Sequence, residues 1–213
     1  MKSNSEGLII DGMVAYLDRD NIDTDQIIPT EYLKSIKKFG YEDYLFDGWR
    51  YKDDGKLGVK KEERIIDENF ILNQEPYNKS KILLSRDNFG CGSSREHAVW
   101  ALRDFGIKAV IASSFGDIFY NNSFKNGLLP IKLDKTEIDF LFKQTHQDTL
   151  ELSIDLQKKE IKVGEKIIFF SVEQHLVDRI IYGLDDIDIT LKEKHKILNF
   201  EKARAIEKPW VFK

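Results

Sequence analysis

The sequence contains a single cysteine, Cys91, among its 213 residues. One thiol cannot form an internal disulfide, and it cannot supply the set of thiolates that normally holds an iron–sulfur cluster. The histidines His97, His146, His175 and His195 show no H-x-x-x-H or H-x-H pairing, so a zinc site would need scattered ligands. Any metal chemistry is therefore expected to come from a partner.

Long hydrophobic runs and an excess of positive charge are also missing. No segment approaches the about 18 consecutive apolar residues of a membrane-spanning helix, and the first residues, MKSNSEGLIIDG, are too polar for a signal peptide. Lys and Arg number 33 against 37 Asp and Glu, and the two signs are interspersed. We expect a cytoplasmic globular protein that binds neither nucleic acid nor a membrane.

Repeats, low-complexity tracts and flexible linkers are absent, which favours one domain over residues 1–213 with a charged surface excursion at about 51–68. The middle of the chain predicts a β-α-β-α-β unit. Its strands are expected at KILLS, IKAVIAS and LLPIKL, and its helices at SSREHAVWALRDFG and FGDIFYNNSFKNG. The continuous apolar runs suit parallel strands that are buried on both faces.

The flanking regions complete a mixed α/β prediction. The segment LIIDGMVAYL is expected to form a strand or hairpin, followed by the loop DRDNIDTDQIIP and a short helix from Glu31 to Lys38. Further along we expect a helix at DKTEIDFLFKQTH, a hairpin between Leu150 and Val172 that turns at Lys158-Lys159, and a helix at EQHLVDRIIYG. The predicted fold class is α/β with both parallel and antiparallel strands.

The loop SRDNFGCGSSREHA, from Ser85 to Ala98, joins a predicted strand to a predicted helix, which is where α/β proteins commonly bind ligands. Ser93 and Glu96 have the spacing of a capping box, so Ser93 is expected at the N-cap. The free backbone N–H groups of the first helical turn would then point towards whatever lies before the helix. Gly90 and Gly92 lack Cβ atoms, which would let an anion approach the backbone closely.

Arg95 would lie in the first turn of that helix, where the helix dipole repels a cation unless an anion sits between them. On the spacing alone, a simple Ser93 cap and a solvated Arg95 are the favoured interpretation, whereas the position of the cation favours a carboxylate or phosphate ligand. The glycine patterns of phosphate loops and dinucleotide-binding loops are both absent, so nucleotide binding is not expected. His97 as a base and Cys91 as a nucleophile are weaker candidates, and Cys91 is expected only to line the site.

Three blocks of the sequence resemble a known family. SRDNFGCGSSREHA resembles the serine-arginine motif in the swivelling domain of the aconitase superfamily. DNIDTDQIIPTEYLK (Asp20 to Lys34) and KAVIASSFGDIFYNNSFKNGLLPI (Lys108 to Ile131) are similar to blocks of isopropylmalate isomerase small subunits, and FDGWRY (Phe46 to Tyr51) is similar to their longer bacterial form. Together these blocks cover well over half of the chain in family order.

The resemblance implies a single swivelling β/β/α domain and a hydro-lyase that is active only in complex with a large subunit. That large subunit would carry a 4Fe-4S cluster, and this chain would bind no cofactor. The implied reaction converts 2-isopropylmalate to 3-isopropylmalate by dehydration and rehydration, a step of leucine biosynthesis.

The resemblance also implies roles for individual residues. Ser93 would be the base that takes the substrate's α-proton, Arg95 would hold a substrate carboxylate, and Ser94 would help to bind substrate. A supporting loop is expected from Asp23, Thr24, Asp25, Gly90, Cys91 and Gly92. Cys91 stands where many aconitases carry an acidic residue, so a proton-transfer role at that position is not expected here.

Two alternatives remain open from the sequence. A sister hydro-lyase acting on homoaconitate, citraconate or a methylated malate would share Ser93 and Arg95 and differ where the substrate's variable group binds. The residues implied for that contact are Leu33 and Lys34. The apolar Leu33 favours the isopropyl group, whereas the cationic Lys34 favours a further carboxylate. A non-catalytic anion-binding module is the alternative from another class.

Overall fold

A computed structural model describes residues 9–34 and 39–212 of the chain. The strands within these residues are β1 (Ile9–Leu17), β2 (Ile82–Ser85), β3 (Ala109–Ala112), β4 (Leu129–Lys132), β5 (Glu151–Asp155), β6 (Glu160–Val163) and β7 (Lys166–Phe169). They form one sheet in the order β4-β3-β2-β1-β5-β6-β7. The first four strands are parallel and the last three are antiparallel, which confirms the predicted mixed α/β class.

Strand β1 joins the two halves of the sheet because its length is shared between two neighbours. Its carboxyl-terminal part pairs in parallel with β2, with Val14 opposite Ile82, whereas its first part pairs antiparallel with β5. The expected hairpin turns at Lys158 and Lys159 between β5 and β6, and Lys159 has φ +56°. A second turn at Gly164 (φ +58°) adds β7, a strand that the prediction had merged into one hairpin.

The described part of the chain contains eight α-helices. They are α1 (Thr24–Ile27), α2 (Asp47–Arg50), α3 (Glu96–Phe105), α4 (Asp117–Lys125), α5 (Lys135–Gln147), α6 (Gln174–Tyr182), α7 (Asp186–Leu191) and α8 (Lys194–Glu207). Short 3-10 helices lie at Thr30–Lys34, Glu42–Tyr44, Lys61–Glu63, Ile71–Asn73, Tyr77–Lys79 and Pro209–Phe212. Of the described helices, none is long and apolar enough to cross a membrane.

The predicted helix from Glu31 to Lys38 is wrong in type where the structure describes it. Thr30–Lys34 forms a 3-10 helix instead, and residues 35–38 lie outside the described residues. Tyr32 is fully buried on this short helix, whereas its neighbour Lys34 is exposed. The amide of Tyr32 donates to the carbonyl of Pro29 over 3.2 Å, which is the i→i+3 hydrogen bond of a 3-10 turn and winds the segment more tightly than an α-helix.

The core lies on both faces of the sheet because successive side chains of a strand point to opposite sides. Leu83 and Val110 face one cluster, which also contains the buried face of α3. Leu84 and Ile111 face the other cluster, together with residues of α5 and α6. The sheet is thus covered on both sides, as the uninterrupted apolar strands predict.

Candidate active site

Two loops meet at the carboxyl ends of the neighbouring parallel strands β1 and β2. The amide of Gly90 donates to the carbonyl of Ile22 over 2.7 Å, and the amide of Thr24 donates to the carbonyl of Cys91 over 2.9 Å. Asp23 and Cys91 also form an isolated parallel bridge. The structure therefore brings together the two segments that sequence reasoning had singled out separately, and it does so at the edge of the sheet where ligands commonly bind.

Helix α1 has a capping box that positions this contact. The Asp23 carboxylate accepts a hydrogen bond from the Gln26 amide at 2.7 Å, and the Gln26 side chain accepts one from the Asp23 amide at 2.9 Å. The next residue, Thr24, is buried and donates its hydroxyl to the carbonyl of Ser93 over 3.0 Å. The cap thus fixes the threonine that holds the serine loop.

The prediction that Ser93 caps α3 is wrong. The N-cap is Arg95 (φ -132°, ψ 111°), which makes no side-chain capping bond, and the helix begins at Glu96. Ser93 lies before the helix because Thr24 holds its carbonyl in the loop. The capping-box spacing is satisfied instead by Asp23 and Gln26, where sequence analysis did not apply it.

Gly90 is required by packing, whereas its predicted role of letting an anion approach stays a prediction. Its φ of +72° favours glycine, and a Cβ built there would lie 2.2 Å from Cγ of Phe119. A Cβ on Gly116 would in turn lie 2.5 Å from the Gly90 carbonyl oxygen. Gly92 differs. Its φ is +91°, but a Cβ built there would lie 3.5 Å from its nearest neighbour, the Cβ of Asp23. The loop is thus pressed against α4 at Gly90 and is open at Gly92.

Arg95 already has an anionic partner in the chain. Its guanidinium forms an ion pair with Asp25, whose carboxylate also accepts the Thr30 hydroxyl at 2.7 Å. The hydrogen bonds from Thr30 and Arg95 lower the pKa of Asp25 below its ordinary value, so the carboxylate stays charged. The anion that the helix terminus was expected to need is therefore Asp25. Among the described residues, the hydrogen bonds of Arg95 use only Nη1, which leaves its other nitrogens for a ligand.

Ser93 and Ser94 are both exposed at the tip of the loop. Within the part of the chain that the structure describes, no side chain or backbone group hydrogen-bonds to either hydroxyl. The Arg95 side chain beside them is only 16% exposed, so its charge is partly shielded from solvent. The two hydroxyls are thus available to a substrate, while the arginine is held in place.

Leu33 and Lys34 lie at the end of the 3-10 helix that begins at Thr30. Leu33 packs partly against the core, and Lys34 is exposed, with no ion-pair partner among the described residues. Neither side chain contacts the serine loop through a described hydrogen bond. The link runs through the hydrogen bond from Thr30 to Asp25, and sequence analysis did not single out Thr30, which directly follows Pro29 in the chain.

The Cys91 thiol is not activated, and the His97 ring packs against aromatic side chains. Burial, followed by the negative charge of Asp23, raises the pKa of the Cys91 thiol, so the thiol stays protonated near neutral pH. The His97 ring packs edge-on against Tyr41 at 5.3 Å between centroids and beside Trp100 at 4.7 Å. No group of three or more His, Cys, Asp or Glu among the described residues could hold a metal ion. One protonated thiol does not fit the ligand set of an iron–sulfur cluster.

Comparisons with known proteins identify the family of the chain. The family described as "Aconitase C-terminal domain" matches residues 6–136. A solved structure of a 3-isopropylmalate dehydratase, LeuD, from Methanocaldococcus jannaschii is similar to this chain at 32% sequence identity. The match covers 91% of this chain and 99% of that chain, with a TM-score of 0.60.

Proposed function

The chain belongs to the aconitase C-terminal domain family, and on that premise we propose that it is the small subunit of a 3-isopropylmalate dehydratase. The family resemblance inferred from the sequence blocks is thereby confirmed. The enzyme is a hydro-lyase that converts 2-isopropylmalate to 3-isopropylmalate in leucine biosynthesis. The net reaction moves one hydroxyl, since the water that leaves in the first half is added back in the second.

The observation that carries the proposal is the contact between the two family segments. Thr24 holds the Ser93 carbonyl, and Asp25 of the same short helix holds Arg95. A serine pair and an arginine are thus presented together at the carboxyl edge of the parallel strands. A dicarboxylate substrate needs a cation for a carboxylate and a group that can accept a proton, and this edge offers both.

We assign to Ser93 the role of the base that removes the substrate's α-proton, and to Arg95 the binding of a substrate carboxylate. A serine hydroxyl is a weak acid, so it can act as a base only where its surroundings stabilise the alkoxide. The positive charge of Arg95 and the backbone N–H groups at the start of α3 are the stabilising groups that this chain offers, each worth at most about 3–4 kcal/mol. Ser94, exposed next to the base, is assigned to substrate binding. Asp25 keeps Arg95 oriented, and a substrate carboxylate would use the guanidinium nitrogens that Asp25 leaves.

We assign the 4Fe-4S cluster, with its Lewis-acid chemistry, to a large-subunit partner. The sequence has one cysteine, and the pKa of that thiol is raised, so this chain has no ligand set for the cluster. Ser93 and Ser94 are exposed in the isolated chain, which suits a site completed by a second subunit. The cytoplasm remains the expected location.

Reconstitution tests the proposal. The chain should be mixed with a matched large subunit whose cluster is intact, and the formation of 3-isopropylmalate from 2-isopropylmalate should be followed. We expect turnover only when both chains are present. Homoaconitate and citraconate should be compared in parallel, because a higher kcat/KM for either would replace the isopropylmalate assignment with a sister hydro-lyase, as the exposed Lys34 would allow. Binding of substrate without turnover would favour the non-catalytic module.

A further inference from the structure

A buried charged cluster lies behind the segment assigned to substrate selection. The Arg64 guanidinium forms two hydrogen bonds with the Asp47 carboxylate, from Nη1 to Oδ1 at 2.6 Å and from Nη2 to Oδ2 at 3.2 Å. The two side chains are only 4% and 7% exposed. The Tyr32 hydroxyl donates to the same Oδ1 of Asp47 at 2.9 Å. We call Tyr32, Asp47 and Arg64 the anchor cluster.

Neighbouring side chains and backbone pack closely against the cluster. Arg64 also donates from Nε to the Asp53 carboxylate at 2.8 Å, and its guanidinium lies 4.0 Å from the centre of the Tyr51 ring. A Cβ added to Gly55 would lie 1.7 Å from the Tyr32 hydroxyl oxygen, so only glycine lets the backbone pass over the cluster. The Tyr32 ring stacks on Tyr44 with centroids 4.0 Å apart.

The charges in the cluster are stable in their present form. Burial and the hydrogen bond to Asp47 raise the pKa of the Tyr32 hydroxyl well above its ordinary value, so it remains a donor. Burial alone would lower the pKa of Arg64, but its hydrogen bonds to Asp47 and Asp53 raise it overall. Removal of one partner from such a buried pair leaves an uncompensated charge, so the cluster has one favoured arrangement.

The position of the cluster in the chain connects it to substrate choice. Tyr32 lies in the 3-10 helix Thr30–Lys34, directly before Leu33 and Lys34. The start of that helix is held by Thr30 on Asp25, which pairs with Arg95. The helix is thus held at two residues. Thr30, its first residue, is bonded to Asp25 on the side of the active site, and Tyr32, its third residue, is bonded to Asp47, which pairs with Arg64 of the charged stretch 51–68. Most of that stretch is exposed, but Tyr51 and Arg64 are buried in the protein.

We propose that Arg64, acting through Asp47 and Tyr32, is a positioning residue that sets where Leu33 and Lys34 meet the variable group of the substrate. The proposal rests on the proposed function and adds a role for the charged stretch, which otherwise has none. Arg64 touches no assigned catalytic residue. Its effect is therefore expected in the choice between substrates and in KM, with little change in the proton-transfer step.

Tyr32→Phe is the sharpest test, with Tyr51→Phe as its matched control. Both changes remove one hydroxyl from a buried ring beside Arg64. The Tyr32 hydroxyl is bonded to Asp47, whereas the buried Tyr51 hydroxyl has no hydrogen-bond partner among the residues that the structure describes. In the reconstituted complex, kcat and KM should be measured for 2-isopropylmalate and for citraconate. We expect Tyr32→Phe to change the ratio of the two kcat/KM values by about tenfold, the size expected for one hydrogen bond to a charged group. Tyr51→Phe should leave the ratio within about twofold.

Arg64→Lys is the second variant, since lysine keeps the charge but loses the two-pronged contact with Asp47. It should shift the same ratio in the same direction as Tyr32→Phe. A merely structural loss would reduce the active fraction equally for both substrates and leave the ratio unchanged, which would overturn the proposal. So would equal ratios for Tyr32→Phe and Tyr51→Phe.

Hydrogen exchange in the chain without its partner gives a readout that needs no activity. The amides of residues 30–34 should exchange at least several-fold faster in Tyr32→Phe than in Tyr51→Phe, because one of the two attachments of the short helix is lost. Equal exchange in the two variants would overturn the proposal. If the wild-type complex lacks isomerase activity, the proposed function fails, and the exchange comparison still decides whether the anchor holds the segment.

Discussion

Replacement of Gly90 by alanine should destabilise the protein much more than the same replacement at Gly92. Both glycines have positive φ values, +72° and +91°, so each alanine would be strained by about 1–2 kcal/mol from the backbone alone. At Gly90 the new methyl group would also lie 2.2 Å from Cγ of Phe119 and 2.7 Å from its Cβ. At Gly92 the nearest atom, Cβ of Asp23, is at ordinary contact distance, 3.5 Å.

Phe119 cannot move aside easily to relieve this clash. Its side chain is 2% exposed, and its ring packs against Phe89 at 5.3 Å and stacks parallel to Phe115 at 6.3 Å between centroids. Forcing a methyl group into such a core costs about 1–3 kcal/mol. Gly90→Ala should therefore lower the free energy of unfolding by about 2–5 kcal/mol, and Gly92→Ala by about 1–2 kcal/mol.

Urea unfolding of the two variants and the wild type measures the difference. The midpoints should fall in the order wild type, Gly92→Ala, Gly90→Ala, with slopes unchanged. The loss in Gly90→Ala combined with Phe119→Ala should be smaller than the sum of the two single losses, because the ring atom that lies 2.2 Å from the new methyl group is gone and only the 2.7 Å contact with the Cβ of residue 119 remains. Equal midpoints for the two glycine variants would refute the reasoning, since the backbone strain would then account for both.

Three further predictions concern metal binding, pH and the partner. The isolated chain should develop no visible absorption band after iron and sulfide are added, since one thiol cannot replace a cluster's ligands, and a stable brown species would contradict this. The lowered pKa of Asp25 means that its contribution to stability is present above the ordinary carboxyl pKa and is lost as the pH falls through the lowered value. Asp25→Asn should therefore make the free energy of unfolding fall slightly less steeply as the pH is lowered. The effect is small because the Asp25 side chain is 54% exposed, and an unchanged acid dependence would count against the ion pair with Arg95. Amides of residues 23–34 should exchange more slowly when the large subunit binds, and equal protection with and without it would argue that the partner does not cover this edge.

The parallel half of the sheet could be predicted because its signal is local. Ala109–Ala112 is an uninterrupted apolar run and Ile82–Ser85 is apolar up to its last residue, and all residues of both strands are buried. The helix end at Gly106 could also be predicted, since its φ of +113° suits glycine after the last turn. The extra strand β7 was missed because the turn at Gly164 was not used as a signal.

The details of the site depend on contacts between distant parts of the chain. Ser93 has the spacing of a cap, but Thr24, 69 residues earlier, holds its carbonyl in the loop. Arg95 was expected to need a ligand, but Asp25 provides the anion from 70 residues away. Arg64 stands in a stretch that is charged enough to predict full exposure, yet Asp47 and Asp53 make its burial possible. Spacing rules cannot predict such pairings, because the residues are far apart in the sequence and come together only in the folded protein.

The kinetics of Ser93 and Arg95 variants in the reconstituted complex test the central claim most directly. Ser93→Ala should lower kcat for 2-isopropylmalate by orders of magnitude with little change in KM, because a base acts only as the proton moves, whereas Arg95→Lys should mainly raise KM. Since Ser93 is not the cap of α3, its replacement by Ala or Asn should change the free energy of unfolding by less than about 0.5 kcal/mol. Near-normal turnover of a stable Ser93→Asn complex would contradict the account, because that variant cannot form the alkoxide that accepts the proton.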